Sequence, residues 1–210
     1  ADFFLDQALA DGMHACDYLL TVDMEMEVVE GYGFANWSSG YGDIHCVPDL
    51  GTLRQISWLD RTALVLCDLH TPEHELVPEA PRSMLRQQLQ ALEASGYTAQ
   101  TATELELYLF QDSYEEAKAK GFDGLQTRGH YIEDYHILQG TKAEDYHGTV
   151  RRQMSASGIP VESSKGEWGP GQHEINLRYT GALEMADRHV IYKHGCKEIA
   201  HQQDCAVSFM

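Results

Sequence analysis

The sequence predicts an α+β fold: a small, mostly-β first domain, β-grasp-like in type, followed by a larger domain of antiparallel strands and helices. Three observations carry this. Short apolar runs and alternations crowd the first third, and strong helical periodicity enters only after a proline- and acid-containing connector at residues 71–81. Beyond it, helices alternate with strands whose one face is apolar and the other polar, the pattern of antiparallel sheets. No Gly-x-Gly-x-x-Gly follows a strand and no Gly-x-x-x-x-Gly-Lys-Ser/Thr loop occurs, which excludes the common nucleotide-binding α/β class. The predicted domains are residues 1–75 and 76–210.

Taken in order, residues 1–12 read as a short amphipathic helix with Phe3, Phe4, Ala8 and Leu9 as its apolar set. Residues 18–22 are a short apolar run. Residues 24–29 alternate Met24, Met26 and Val28 against Glu25 and Glu27, which predicts a strand with both methionines in the core. Residues 31–42, rich in glycine, serine and aromatics, read as a loop. Residues 43–48 and 53–58 read as strands parted by a Pro48-Asp49-Leu50-Gly51 turn, and residues 62–69 as a buried strand. Residues 82–95 form a helix with Leu85, Leu89 and Leu92 at helical spacing and Gly96 as its stop. After the strand at 103–110 comes a polar, glycine-dotted excursion at 113–132. Then follow a helix over 143–156, a short strand at 159–162, a strand carrying Glu174, a long helix over 181–203 with Leu183, Ala186 and Val190 on one stripe, and an apolar strand from Ala206.

Bulk properties narrow the function. A formal charge of −18 on 210 residues argues against a nucleic-acid or anionic-membrane surface. An acidic protein that handles phosphates needs a cation to neutralise them. No apolar run is long enough to span a bilayer and the N-terminus lacks a basic signal-peptide start, so a cytoplasmic location is expected. The five scattered cysteines, with no Cys-x-x-Cys, read as free thiols of a reducing compartment. The eleven histidines include no His-Glu-x-x-His motif, so a zinc-protease helix is not supported.

The chemistry lies in two acidic segments. In a strand, alternate residues share a face, so Glu104 and Glu106 project together while Leu105, Leu107 and Leu109 enter a core. Glu167 and Glu174 frame Gly169-Pro170-Gly171, a tight path for which a plain surface has little need. Two carboxylates about 5 Å apart repel by roughly 3 kcal/mol at an effective dielectric near 20. Four on one concave sheet hold protons or a metal, and oxygen-only donors suit magnesium or manganese over zinc. An acidic face left to solvent is the bland alternative for Glu-Leu-Glu taken alone.

These residues resemble the glutamine synthetase family. Glu104-Leu105-Glu106-Leu107-Tyr108-Leu109-Phe110 is similar to the family's Glu-x-Glu-aromatic strand, and Gly169-Pro170-Gly171-Gln172-His173-Glu174 to its Pro-Gly-Gln-x-Glu strand. Val47-Pro48-Asp49, Trp58, Ala63–Asp68, Pro81-Arg82 and Ala186-Asp187-Arg188 add weaker matches. The resemblance implies an ATP-dependent ligase that phosphorylates the side-chain carboxylate of glutamate and lets an amine displace phosphate. It implies Glu104, Glu106, Glu167 and Glu174 as ligands of two Mg2+ or Mn2+ ions, Glu162 and Tyr179 at the nucleotide, and a ring-shaped homo-oligomer. Period two puts Tyr179 on the face opposite Glu174, so its role needs a twist or the strand's end.

The departures from the family pattern have consequences. Where typical members carry Asp-Gly-Ser-Ser to bind ammonium, residues 34–43 place Trp37 and Ser38 without an aspartate at the matching position; Asp43 is the nearby candidate for amine binding. An organic amine or polyamine is therefore expected as acceptor in preference to ammonia. Lys165-Gly166 replaces a His-His pair, and Lys165 is read as an exposed turn residue. The family's later motifs do not occur, so the chain is expected to be the N-terminal half of a subunit and not to catalyse by itself. Two other readings compete: an inactive family member serving as a binding or structural subunit, and a metal-dependent phosphohydrolase, which the charge disfavours.

Overall fold

The computed structural model describes residues 2 and 4–209; Ala1, Phe3 and Met210, which the predicted end elements include, lie outside the described residues. Strands and helices mix and both sheets contain antiparallel pairs, as an α+β fold requires. The chain falls into two units, one running to Leu53 and resuming over Leu64–Thr98, the other made of Arg54–Ala63 and the residues from Ala99 onward.

In the first unit a π-helical turn, Phe4–Ala8, leads into a single turn α1, Leu9–Asp11. β1, Met13–Cys16, pairs antiparallel with β2, Asp43–Gln55, from Met13 opposite Cys46 to Cys16 opposite Asp43. β3, Ala63–His70, lies on the other side of β2. Ile44, Val77 and Ala80 form a small core with Ala15, Leu20, Cys46 and Leu69 packed on it. α2, Pro81–Ala94, begins with proline at the first turn, where its missing N–H costs nothing.

The turn expected at Pro48–Gly51 is absent, and β2 is continuous. The Asp49 carboxylate is held by Arg82 at 2.8 Å and Arg86 at 2.7 Å, and Thr52 Oγ1 accepts from the Leu66 N–H at 2.8 Å, so these polar residues tie the strand to its neighbours. The same arginines reach Asp68 on β3, Arg86 at 3.0 Å. The strand expected at 24–29 is also absent. Asp23 Oδ1 accepts the N–H groups of Glu25 and Glu27 at 2.8 and 3.0 Å, an Asx turn that leaves Met24 98% exposed and Met26 in the left-handed region at φ 63°. The two methionines are surface residues, not core.

The second unit is built on a four-stranded antiparallel sheet in the order β5-β6-β4-β7. Its strands are β4, Gln100–Phe110; β5, Val161–Gly166; β6, Gln172–Gly181; and β7, Ala206–Ser208. Leu107, Leu109, Ile175 and Leu177 are buried on its apolar face, as alternation predicts. Two helices pack behind them: α5, Glu144–Ala156 (following the short α3, Tyr114–Ala119, and α4, Ile137–Lys142), and α6, Ala182–Gln202. Tyr146 OH donates to the Cys196 carbonyl at 3.0 Å and Tyr192 OH to that of Ile175 at 3.3 Å, so these two fully buried rings leave no orphan hydroxyl.

α6 buries Met185, Ile191, Tyr192, Cys196 and Ile199, not the predicted stripe, and Val190 is exposed. The wider face won because larger side chains remove more apolar area from water. α3 rises within the supposed excursion. Ser113 Oγ accepts from Glu116 N at 3.1 Å and Glu116 Oε2 from Ser113 N at 3.0 Å, a capping box legible as Ser-x-x-Glu.

Candidate functional site

Pairing between β4 and β6 sets Glu106 directly opposite Glu174 and Glu104 opposite Asn176. Directly paired residues share a sheet face with neighbouring Cβ atoms, so the first pair meets by construction. Glu167 joins them from the hairpin between β5 and β6. Its N–H donates to the Gln172 carbonyl at 2.8 Å and that of Gln172 to the Gly169 carbonyl at 2.9 Å, closing the turn. Gly171 sits at φ 75°, and its carbonyl accepts from Leu109 N at 2.8 Å, where a side chain would meet Thr127 and the Leu109 carbonyl.

The outcome is a group of three carboxylates, from Glu106, Glu167 and Glu174, each offering an oxygen within 4.8 Å of the others. Glu106 is exposed, Glu167 half-buried and Glu174 buried. Glu104 is exposed one step along the same face and outside this group. The donor set is all oxygen, which fits a hard divalent ion such as Mg2+ or Mn2+.

Sequence reasoning missed three residues around this group. Lys165 is not an exposed turn lysine. It lies on β5 opposite Glu174, with Nζ 2.9 Å from Glu174 Oε2 and in contact with Glu167 Oε1. Burial pulls its pKa down, but the Glu174 hydrogen bond and charge outweigh that, and the pKa stands above the ordinary lysine value. The ammonium thus balances two of the three carboxylates. Gln172 donates from Nε2 to Glu106 Oε2, while its Oε1 accepts from Tyr108 OH at 3.1 Å and Gly169 N at 2.9 Å.

The third is Glu133, only 1% exposed. Its Oε1 accepts from the Gly171 N–H at 2.8 Å, its Oε2 lies 2.8 Å from His173 Nε2, and its backbone packs where Gly166 has no side chain. Glu133 therefore anchors the hairpin that carries Glu167 and delivers Glu174. The one available signal was an acidic residue amid aromatics at 131–135, which has no periodicity. His173, buried as a strand histidine, lies tilted against His147 with ring centroids 4.1 Å apart, and burial and then His173 hold the His147 pKa well below the imidazole norm. Beside them a cleft of 540 Å³ is lined by His147, Arg151, Ser163, Ser164, Lys165 and His173. Arg151 is already committed to Ser164 Oγ at 2.7 Å and to Glu144.

Glu162 and Tyr179 both fall at β-bulges. The pairing passes from Val161–Leu177 to Ser163–Asn176, leaving Glu162 as an extra residue on β5. It passes from Thr101–Thr180 to Thr103–Leu177 on the other side, leaving an extra residue on β6 at 178–179. That extra residue resets the alternation and returns Tyr179 to the side of Glu174, supplying the break that a regular strand lacked. Both side chains are exposed and their bulges flank Leu177, at one level of the sheet. Asp43 is an exposed residue opening β2, in the first unit.

Comparison with known proteins supplies the family. The glutamine synthetase catalytic-domain family matches residues 78–210, most of the chain. The chain belongs to the glutamine synthetase family. It is 44% identical over its whole length to a γ-glutamylethanolamide synthetase, GlnA4, of Streptomyces coelicolor, covering 46% of that protein. It is 37% identical, again over its whole length, to a glutamate–isopropylamine ligase of a Pseudomonas species, also covering 46%. Among solved structures, a GmaS/ADP complex superposes with a TM-score of 0.79 at 20% identity, over 99% of this chain and 44% of that one, a likeness of fold. The chain thus spans about half the length of the curated relatives it matches, and those relatives are named ligases.

Proposed function

We propose that the protein, at its full natural length, is an ATP-dependent ligase that joins the side-chain carboxylate of glutamate to an organic amine through γ-glutamyl phosphate. The observation that supports this most is the convergence of Glu106, Glu167 and Glu174 within 4.8 Å on a glutamine synthetase-type sheet. In this reading Glu106, Glu167 and Glu174, with Glu104 one pleat away, hold two Mg2+ or Mn2+ ions. The ions supply charge neutralisation for phosphoryl transfer, where positioning and electrostatics dominate. Lys165 swings aside when they bind, Glu133 and Gln172 keep the carboxylates aimed, and Glu162 and Tyr179 face the nucleotide from their bulges.

An organic amine is favoured over ammonia because residues 34–43 carry no aspartate at the position of the family's ammonium ligand, and because the relatives at 44% and 37% identity are named for an ethanolamide product and an isopropylamine substrate. Asp43 is the proposed amine-side carboxylate, on a first domain over 1–75 of β-grasp-like type that precedes the catalytic domain over 76–210. The working form is a cytoplasmic ring of identical subunits; among the described residues no helix is long and apolar enough to cross a membrane.

The test is ADP release by the full-length protein with glutamate and, separately, ammonia, ethanolamine, isopropylamine, putrescine and spermine. Release that requires both glutamate and an amine, fastest with an organic one, supports the proposal. Phosphate release that ignores glutamate and amine would make the protein a phosphohydrolase. Silence with every amine would make it a non-catalytic member.

A further inference from the structure

The first unit holds three histidines that the ligase reading does not use. His14 on β1 stands directly opposite His45 on β2, their rings stacked with centroids 5.1 Å apart. His74, in the turn after β3, meets His45 edge to face with centroids 5.3 Å apart. That turn is fixed: His74 N donates to the Thr71 carbonyl at 2.9 Å, and His70 Nδ1 donates to the His74 carbonyl at 3.1 Å. The three rings line one cavity of 460 Å³ together with Asp11 and Gly12.

His45 is 9% exposed, and its two nitrogens are unequal. Nε2 donates to the Asp11 backbone carbonyl, on a backbone path where Gly12, at φ 76°, leaves room for the ring. A neutral imidazole with one N–H committed has a bare lone pair on the other nitrogen. That nitrogen, Nδ1, is buried and has no hydrogen-bond partner. A ring whose second N–H is held by a backbone carbonyl while its free lone pair is kept dry is the usual state of a metal-ligating histidine.

The spacing agrees. Two imidazoles bonded to one tetrahedral ion at about 2.1 Å place their ring centroids roughly 5 Å apart. Among the described residues only the carboxylate trio already brings three ligand atoms within 4.8 Å, so a shared ion at the histidines requires ring rotation. His14 and His74 are exposed and free to turn toward the fixed His45.

We propose that His14, His45 and His74 form a second metal site, for a nitrogen-preferring divalent transition-metal ion such as zinc, nickel or copper. It clips β1, β2 and the turn after β3 together. It is chemically distinct from the all-oxygen group, which suits hard ions, and it stands whether or not the ligase reading holds.

Calorimetric titration of the full chain with Zn2+, and electron paramagnetic resonance with Cu2+, test it. The variants are His14→Ala and His74→Ala, whose exposed side chains leave the fold intact, and Glu174→Gln as the control for the carboxylate group. The expected result is Zn2+ affinity at least tenfold weaker in each histidine variant and retained in Glu174→Gln, with imidazole-nitrogen hyperfine structure on Cu2+ that His14→Ala reduces. Equal Zn2+ affinity in wild type and both histidine variants overturns the site. An effect of only one histidine overturns the three-ligand arrangement.

Discussion

Lys165→Met probes the balance of charge at the carboxylate group. Three carboxylate oxygens within 4.8 Å of one another repel by roughly 3 kcal/mol per pair at an effective dielectric near 20. At 2.9 Å from Glu174, the Lys165 ammonium returns about 6 kcal/mol on the same scale. Lys165 is 28% exposed and Glu106 faces solvent, so screening reduces the net loss on removing the ammonium to about 1–3 kcal/mol. The variant is therefore less stable without metal. The same oxygens that bind Lys165 must bind a divalent ion, so removing the competitor strengthens Mn2+ binding. A gain of about 1.4–2.8 kcal/mol corresponds to roughly 10- to 100-fold. Calorimetric titration with Mn2+ reads the affinity, and urea unfolding with and without Mn2+ reads the stability. Unchanged or weaker Mn2+ binding in Lys165→Met would refute the competition and separate the lysine from the ion's ligand shell. The pH dependence has a definite sign. Because the folded pKa is raised, the lysine's contribution is complete below the unfolded value of about 10.4 and is lost as pH climbs through the folded one. The stability gap between wild type and variant should hold from neutral to mildly alkaline pH and close above that.

Glu133→Ala should cost about 3–5 kcal/mol in urea unfolding, because it orphans the Gly171 N–H and breaks a buried pair with His173, whereas Glu133→Gln, which keeps an acceptor, should cost less. Asp49→Asn should flatten the acid limb of the stability profile. The Arg82 hydrogen bond holds the Asp49 pKa below the usual range, so its contribution is present above about pH 3.9 and disappears as pH falls through the folded value; an unaltered acid limb would count against the network. Met24→Ser should change stability by no more than about 0.5 kcal/mol, since the side chain is 98% exposed, and a core-sized loss on thermal unfolding would contradict that placement. Met26→Gly should stabilise by about 1 kcal/mol, because a left-handed φ strains any residue with a Cβ.

Much of the second unit could be read directly. The alternation in residues 104–110 and the Gly-Pro-Gly path are local signals, as is the helix-stop glycine at 96 in the first unit, all carried by side-chain period and backbone freedom within a few residues. They were enough to bring Glu106, Glu167 and Glu174 onto one face. Local signals failed where two patterns compete. Met24-Glu25-Met26-Glu27 has a strand's period, but Asp23 captures the backbone in an Asx turn. Pro48-Asp49-Leu50-Gly51 has a turn's composition, but Arg82 and Arg86 claim the aspartate from more than thirty residues away.

What the sequence by itself determined is the inventory of donors and their spacing: which carboxylates share a face, which segment must turn, and that no soft ligand stands among them. Only the tertiary structure decided how those donors are served. The bulges at Glu162 and Tyr179 arise from register between strands, the commitment of Lys165 from its cross-strand place opposite Glu174, and the anchoring by Glu133 from a contact 38 positions along the chain. Hydrogen bonds and charges act through space with a reach of a few ångströms, so partners remote along the chain leave no periodic trace in it.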